Sequence, residues 1–419
     1  MKFYIYSLGC KVNSYESNVM KDNLINNGFE YSSIDDADIV IINSCCVTNS
    51  ADNKTMKLIR HVRNNYDVIL CVVGCFVQSK MDDLSIIPGD ILIGNKNKSM
   101  INFYINRFLV DRKRIVDVSD ISKTDFETMR LNNYDHTRAF IKIQDGCNNF
   151  CSFCIIPFTR GNVRSKRKDD VISEVKSLVS NGHKEIVLTG IHTGNYNDGD
   201  YDFACLLKDL VCINGLERLR ISSIEITEIN DRVMNIIRDN NVLVDHMHIP
   251  LQSGSDSILR SMNRKYDMDY FFSKIDMLRS IRPNISITTD VIVGFPGETD
   301  ELFLETVHNI KKIGFSKLHV FPYSRRSGTV ADTMDNQIDD CVKKKRVRVL
   351  LDLSKELETN YMKLFLGQTV SFIPEVLKDG YLIGHTGNYL LVKCKGDSLN
   401  HDVKDVIITS IDYPYCVGE

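Results

Sequence analysis

The run CNNFCSFC places three thiols, Cys147, Cys151 and Cys154, on one short stretch, separated by three and then two residues. No fourth cysteine follows at ligand spacing. A structural zinc site closes with four protein ligands, and an ordinary iron-sulfur cluster is also held by four. Three thiolates therefore predict a 4Fe-4S cluster with one iron left open. An amine and a carboxylate from an amino-acid-like ligand can occupy that iron, which is the grip S-adenosylmethionine offers. One electron from the cluster would then cleave the sulfonium bond and release a radical. The simpler alternative is a zinc site completed by a distant Cys or His.

A second set of thiols is dispersed. Cys10 follows KFYIYSLG, Cys45 follows ADIVIINS and Cys75 follows DVILCVVG, so each sits just past an apolar run. In an open α/β sheet the carboxyl ends of the strands line one edge, where ligands bind. Three thiols gathered there would hold a second 4Fe-4S cluster, again with an open iron. The alternative is three small buried hydrophobes near strand ends. Cys46 adjoins Cys45 and competes with it for the ligand position, whereas Cys71 lies inside an apolar run and is expected in the core. Cys205, Cys212, Cys341, Cys394 and Cys416 lack ligand spacing and are read as structural.

Polar and glycine-bearing segments recur later in the chain: Thr189 and Gly190 in LTG, Ser222 and Ser223 in ISS, Gln252 in PLQSG, Gly294 in VGFPGE. Small residues and hydroxyls at strand ends suit close approach of a nucleoside and its charged tail, and Phe153 is placed to pack against an adenine. No residue stands out as a general acid or base. Basic residues form three groups: Lys54, Lys57, Arg60, His61 and Arg63; Arg160, Arg164, Lys166, Arg167 and Lys168; and the run KKKRVRV from Lys343 to Val349. The second group is favoured for phosphate contact because it follows the cysteine loop. The third is expected on the outer side of a helix.

The elements that must hold these groups follow from periodicity. KFYIYSLG, ADIVIINS and DVILCVVG alternate with the amphipathic segments ESNVMKDNLINNG and NKTMKLIRHVRNN, continued by ILIGN and SMINFYINRFL. This order predicts a doubly wound parallel sheet. DVSDISKTDFETMRLNNYDHTR has no sustained period and is expected as a linker. From Ala139, AFIKIQDGC, EIVLTGIH, RLRISSIE, HMHIPLQSG, SITTDVIVGFPGE and KLHVFPYS read as strands. Helical segments such as DDVISEVKSLVSNG, DSILRSMNRKYDMDYFFSKIDMLRSI and TDELFLETVHNIKKIG lie between them. Six such units predict a partial (β/α)6 barrel with its site at the carboxyl ends of the strands. A long helix, CVKKKRVRVLLDLSKELETNYMKLF, precedes QTVSFIPEV, YLIGHTGNYLLVKC and DVIITSIDYPYCV, which fit a small β-barrel. The expected units are 1–118, 133–356 and 357–419.

With 419 residues, the chain exceeds one hydrophobic core. A net charge of -3 leaves any nucleic-acid contact to local basic patches. Thirteen cysteines without a secretory-type N-terminus indicate a reducing, cytoplasmic setting. No apolar run approaches the roughly 20 residues of a membrane span.

CNNFCSFCIIPFTRGNVRS resembles the cluster loop of radical S-adenosylmethionine enzymes, specifically the methylthiotransferases. SLGCKVNSYES, NSCCVT and VVGCFVQ resemble that family's N-terminal cysteine motifs, and LTGIHTGNY, ISSIE, HIPLQSGSDSILRSMNRKY, TTDVIVGFPGET and HVFPYSRRSGT extend the likeness through the barrel. GCKVN, GIHTGNY and HVFPYSRRSGT look like the branch that methylthiolates carbon 2 of N6-threonylcarbamoyladenosine next to the tRNA anticodon. The resemblance implies two 4Fe-4S clusters, a radical-generating one on Cys147, Cys151 and Cys154 and an auxiliary one on Cys10, Cys45 and Cys75. It also implies S-adenosylmethionine as co-substrate, the tRNA anticodon stem-loop as partner, an electron donor protein, a sulfur source and no membrane. The tail resembles the TRAM domain, a small RNA-binding barrel. NSCC departs from the family's usual single cysteine, leaving Cys45 and Cys46 both open. Arg325, Arg326 and the basic run after Cys154 are the candidates for the threonyl carboxylate. The alternatives are the branches acting on isopentenyladenosine or on a ribosomal-protein aspartate, and a non-catalytic iron-sulfur RNA-binding protein.

Overall fold

The computed structural model describes residues 1–122, 124–131 and 137–419. The first unit runs β1 (Lys2–Ser7), α1 (Lys11–Asn26), β2 (Glu30–Tyr31), β3 (Ile39–Ser44), α2 (Asn49–Asn65), β4 (Ile69–Gly74) and α3 (Cys75–Ser79). It ends with β5 (Ile91–Ile93), α4 (Ile101–Asp111) and β6 (Ile115–Asp117). All pairings are parallel, in the order β2-β1-β3-β4-β5-β6. The winding therefore reverses between β1 and β3, the place where such a sheet opens a crevice beyond its strand ends. Every residue of β3 and β4 is buried, because helices cover both faces and the strands can be apolar throughout. Ile39, Ile41, Cys71 and Val73 belong to one apolar layer and Val40, Ile42, Leu70 and Val72 to the other.

The second unit begins with β7 (Arg138–Lys142), β8 (Gln144–Asp145), α5 (Ile156–Arg160), β9 (Arg164–Ser165), α6 (Lys168–Ser180) and β10 (Glu185–Thr189). A short hairpin, β11 (Asn197–Asp198) and β12 (Tyr201–Asp202), leads to α7 (Phe203–Leu210), β13 (Arg218–Ile221), α8 (Asp231–Asp239) and β14 (His246–His248). Then come α9 (Asp256–Ser261), α10 (Met268–Ile281), β15 (Ser286–Val293), α11 (Asp300–Ile313), β16 (Lys317–Pro322) and α12 (Asp340–Lys363). Parallel sheets β13-β10-β7 and β14-β15-β16 join through a bridge between Leu219 and Leu243. The six strands form a parallel arc with no pairing between β7 and β16 among the described residues, and α1 of the first unit packs against β7.

Two expectations need revision. DSILRSMNRKYDMDYFFSKIDMLRSI is two helices, because Asn263 takes a left-handed φ of +60° and Asp267 recaps the chain by accepting from Tyr270 N at 2.9 Å. The break frees Arg264 from helical geometry. The linker is not a loose tether either: Met129 and Leu131 are buried, Tyr15 donates to Met129 O at 2.8 Å, and Leu131 N donates to Glu174 at 2.8 Å. Its remaining residues, 123 and 132–136, lie outside the described residues.

The third unit is a closed barrel of β17 (Thr369–Lys378), β18 (Tyr381–Thr386), β19 (Leu391–Lys395), β20 (Lys404–Asp412) and β21 (Tyr415–Gly418), in the order β17-β18-β19-β21-β20. Phe372, Leu382, Val392, Cys394, Ile408 and Cys416 fill it. α12 runs unbroken across residues 356 and 357 into this unit. Among the described residues no helix is long and apolar enough to cross a membrane.

Candidate functional site

Cys147, Cys151 and Cys154 lie on the loop that leaves β8 at the carboxyl end of the arc. Gly146, at φ +75°, lets the loop double back against Asn162 and Gly161, where a Cβ would strike their carbonyl groups. The loop is pinned from several sides: Cys147 N donates to Gly161 O at 3.1 Å, Ser152 N to Met262 O at 3.1 Å, and Ala331 N to Ser152 O at 2.7 Å. Each thiol faces an N–H donor. Asn149 N reaches Cys147 Sγ at 3.4 Å, Arg264 reaches Cys151 Sγ at 3.3 Å, and the backbone at Ile156 serves Cys154. Donors to sulfur stabilise thiolates and tune the clusters they hold. Burial, with the neighbouring Cys151 and Cys147, pushes the other way and takes the Cys154 thiol up to about 12.

Two buttresses of this loop are absent from the spacing argument. Arg264 is itself anchored on Glu225. His192 faces Cys147 Sγ at 3.7 Å and pairs with Glu228 through its other ring nitrogen. Burial disfavours its charged form, but the hydrogen bonds to Cys147 and Glu228 raise His192 to about 10. Both residues sit within the motifs that follow the strands, and their polar side chains beside GIHTG and SMN were the available signal.

In the first unit the strand ends do gather the dispersed thiols. A Cβ on Gly9 would meet Cys45 Cβ at 2.7 Å and Cys45 Sγ at 3.0 Å, so the loop bearing Cys10 lies directly on Cys45. Gly74, at φ +97°, turns β4 into α3 within one residue, and Asn43 occupies the space a side chain would need, 2.8 Å away. Cys75 thereby opens a helix beside the other two, and Cys45 feels the charge of both Cys75 and Cys10. Cys46 is fully buried in the apolar layer and hydrogen-bonds Cys75. That bond, with Arg160 and Lys98 nearby, draws Cys75 down to about 5 despite burial. Arg160 and Asn95 donate to its sulfur at 3.3 and 3.4 Å. Among the described residues no three His, Cys, Asp or Glu side chains converge as a single-ion site. A cluster instead takes each thiolate on a separate iron, a requirement that suits both the donor-backed loop triad and the thiols gathered at the strand ends, of which Cys45 and Cys75 face donors.

Arg160 joins the two triads. It ends α5, six residues after Cys154, and its guanidinium also meets Asn13 at 2.6 Å, Glu16 at 3.0 Å and Asp145 at 3.2 Å. Lys98 and Lys142 complete a wholly buried network around Glu16. The expectation that the run after Cys154 contacts phosphates therefore needs correction. Arg160 and Lys166 are buried ion-pair partners, Arg164 pairs with Asp145 at 3.4 Å, and only Arg167 and Lys168 are exposed. KKKRVRV is likewise split: Lys343 and Arg346 turn inward, Arg346 pairing with Glu298 at 2.6 Å. Arg326 is buried against Asp52 at 2.9 Å, and Arg325 pairs with Asp332 at 2.7 Å. Lys54, Lys57, Arg60 and His61 stand exposed on α2, while Arg63 pairs with Asp90.

The other expected residues occupy the mouth of the arc. Ser222 donates to Thr189 across neighbouring strand ends at 3.4 Å, Gly190 packs closely on Gln144, and Ser223 follows at partial exposure. Gln252 takes a left-handed φ of +65° and hydrogen-bonds both sides of Val291. Phe153 packs edge-on to Phe295 at 6.5 Å. Gly294 leaves room for the Lys343 side chain, so its missing Cβ serves the packing of α12.

Below the mouth, RLRIS and HMHIP alternate polar with apolar residues, and SITTD and KLHVF begin the same way. Leu219, Met247, Ile287 and Leu318 join the apolar core under the helices, and the alternate positions line a polar interior. His246 and His248 share Thr288 Oγ1 at 3.1 and 3.0 Å, His248 faces Asp290 at 3.3 Å and lies 5.5 Å from the His319 ring. Lys11 comes from the first unit and is in electrostatic reach of Arg220, Arg138, Asp290, His246 and His319, residues on five strands. The opposite end is stopped by Tyr389, at the tip between β18 and β19, which accepts from Arg138 at 2.8 Å, lies tilted against His246 with ring centres 4.4 Å apart, and carries the Arg220 guanidinium 4.1 Å over its face.

Comparison with known proteins places these features. The family model described as the Radical SAM superfamily matches residues 141–310, and that of the uncharacterized protein family UPF0004 matches residues 2–94. The threonylcarbamoyladenosine tRNA methylthiotransferase MtaB of Bacillus subtilis is 42% identical over 99% of this chain and 95% of its own length. Its Thermotoga maritima namesake is 38% identical over 92% and 89%. A tRNA-2-methylthio-N(6)-dimethylallyladenosine synthase of Clostridium perfringens is 34% identical over 94% and 92%. Among solved structures, a radical S-adenosylmethionine methyltransferase from Kitasatospora setae shares the fold at a TM-score of 0.56 and 13% identity, covering 76% of this chain and 72% of that one.

Proposed function

We propose that this chain, which belongs to the radical S-adenosylmethionine methylthiotransferase family, works through two cysteine-held clusters on either side of Arg160. It is an enzyme that methylthiolates carbon 2 of N6-threonylcarbamoyladenosine in tRNA, in line with the names of its 42% and 38% identical relatives. It uses S-adenosylmethionine and a 4Fe-4S cluster.

Cys147, Cys151 and Cys154 hold that cluster, which with S-adenosylmethionine supplies a carbon radical able to take hydrogen from an unactivated C–H bond. Carbon 2 of adenine bears such a bond, beyond the reach of acid-base catalysis. Cys10, Cys45 and Cys75 would hold a second 4Fe-4S cluster, which would supply the sulfur, and a second S-adenosylmethionine would provide the methyl group. Cys45 is preferred to Cys46 because it faces Cys10 and Gly9. Thr189, Gly190, Ser222, Ser223 and Gln252 line the approach of S-adenosylmethionine, and Phe153 borders its adenine. The exposed cations of α2 and the closed barrel within residues 357–419, a unit read as TRAM-like, take the anticodon stem-loop. Residues 1–118 are the sulfur unit and 133–356 the radical unit. An electron donor protein and a sulfur source complete the cycle in a reducing cytoplasm, in keeping with thirteen cysteines of which none forms a disulfide.

The observation that carries this reading is the gathering of Cys10, Cys45 and Cys75 at the sheet's switch point, in contact through Arg160 with the loop of Cys147, Cys151 and Cys154. Mass spectrometry of tRNA nucleosides from a deletion strain tests it. The methylthio form of threonylcarbamoyladenosine should vanish and return on complementation. Loss of the dimethylallyl analogue instead would reassign the substrate.

A further inference from the structure

Around Lys11 the arc holds more positive charge than it neutralises. Arg138 pairs with Glu375 at 3.2 Å, Arg218 and Arg220 share Glu185 at 3.6 and 2.7 Å, and Asp290 faces His248 at 3.3 Å. Lys11 opens α1, which packs against β7, and it forms no ion pair among the described residues, with Arg220, Arg138 and Asp290 in its electrostatic reach. Arg220 is fully buried, yet only its Nε is used: Nη1 and Nη2 have no hydrogen-bond partner. The Tyr389 ring covers the guanidinium face without satisfying those N–H groups. A buried guanidinium with idle donors beside an unpaired ammonium is costly unless an anion meets both.

We propose that Lys11 and Arg220 receive the carboxylate of the substrate's threonyl group, and so select threonylcarbamoyladenosine over adenosines with an uncharged N6 substituent. The pair offers charge-assisted donors from two units of the molecule, and a carboxylate has the lone pairs to take both. Lys11 directly follows Cys10, so a carboxylate held there keeps the nucleoside beside the sulfur unit as well as under the cysteine loop. Arg138 and Arg218 are already engaged, and Arg325 and Arg326 are paired outside the arc, which leaves Lys11 and the Nη groups of Arg220 as free donors inside the arc among the described residues. This inference rests on the substrate assigned above.

The test uses the reconstituted enzyme and anticodon stem-loops carrying threonylcarbamoyladenosine, its methyl ester, or dimethylallyladenosine. Affinity is read by fluorescence anisotropy, with kcat and KM alongside. The unaltered enzyme should bind the acid about 10- to 100-fold more tightly than the ester, the range for one charged hydrogen bond. Lys11→Gln should bring the acid down to the ester's affinity and leave the ester unchanged, and Lys11→Arg should restore most of the preference. Equal affinity of the unaltered enzyme for acid and ester overturns the inference, whatever the variants do. So does a Lys11→Gln protein that weakens acid and ester alike, since Lys11 would then be structural. In both cases methylthiolation of the acid continues in the unaltered enzyme, so the substrate assignment stands. Turnover of the dimethylallyl stem-loop alone would remove both.

Discussion

The two cysteine triads are built in opposite ways. Cys147, Cys151 and Cys154 belong to a single loop, so their proximity is fixed by covalent connection and a few backbone hydrogen bonds. Cys10, Cys45 and Cys75 come from three loops and meet only when β1, β3 and β4 have paired. Closing such long loops carries an entropic cost that the loop triad never meets. A ligand set meant to persist through repeated chemistry can thus be local and self-contained, whereas one assembled by a sheet depends on the whole first unit. Arg160 ties them: it is covalently part of the first design and donates to a thiol of the second.

The sharpest way to break the contrast is to remove the local set. With Cys147, Cys151 and Cys154 all changed to Ala, 5′-deoxyadenosine production should fall to background and bound iron to about half. Cys75→Ala should separate the triads: methylthiolated product disappears on mass spectrometry while 5′-deoxyadenosine still forms. Iron analysis and Mössbauer spectroscopy that found one cluster in the unaltered protein would sink the two-cluster reading.

Next in size is the tie. Arg160→Met leaves Glu16, Asp145 and the Cys75 sulfur short of a buried cation, and should destabilise the protein by about 3–5 kcal/mol, seen in denaturant unfolding. A loss under 1 kcal/mol would mean the triads are held independently. Cys46→Ala should be milder, with iron content and product near normal, whereas Cys45→Ala should lose the second cluster; the reverse result would exchange their roles. The smallest effect is expected at the surface. Lys54→Glu with Lys57→Glu should weaken stem-loop binding several-fold and flatten its salt dependence, without altering iron content.

The same contrast explains what was readable in advance. The loop triad is a local pattern, so spacing alone announced it, and the (β/α) alternation announced the arc that carries it. The dispersed triad could be inferred because each thiol ended an apolar run, a signal of strand ends and not of mutual distance. What spacing could not supply was the destination of long polar side chains. Arg160, Lys166 and Arg346 look like surface charge in sequence, since nothing local reveals that Glu16, Glu174 and Glu298 wait for them. The helix break at Asn263 was equally hidden, because an amide that adopts left-handed backbone geometry is compatible with either state. The polar interior was legible in principle, as HMH and RLR carry the period of a strand with the unusual face inward.

Tyr389 gives the larger arc a floor. A chamber stoppered at one end admits and discharges through the same doorway, so occupancy imposes an order of traffic. If RNA docks over that doorway in the proposed reaction, the small co-substrate would have to enter first, an order that product-inhibition kinetics checks.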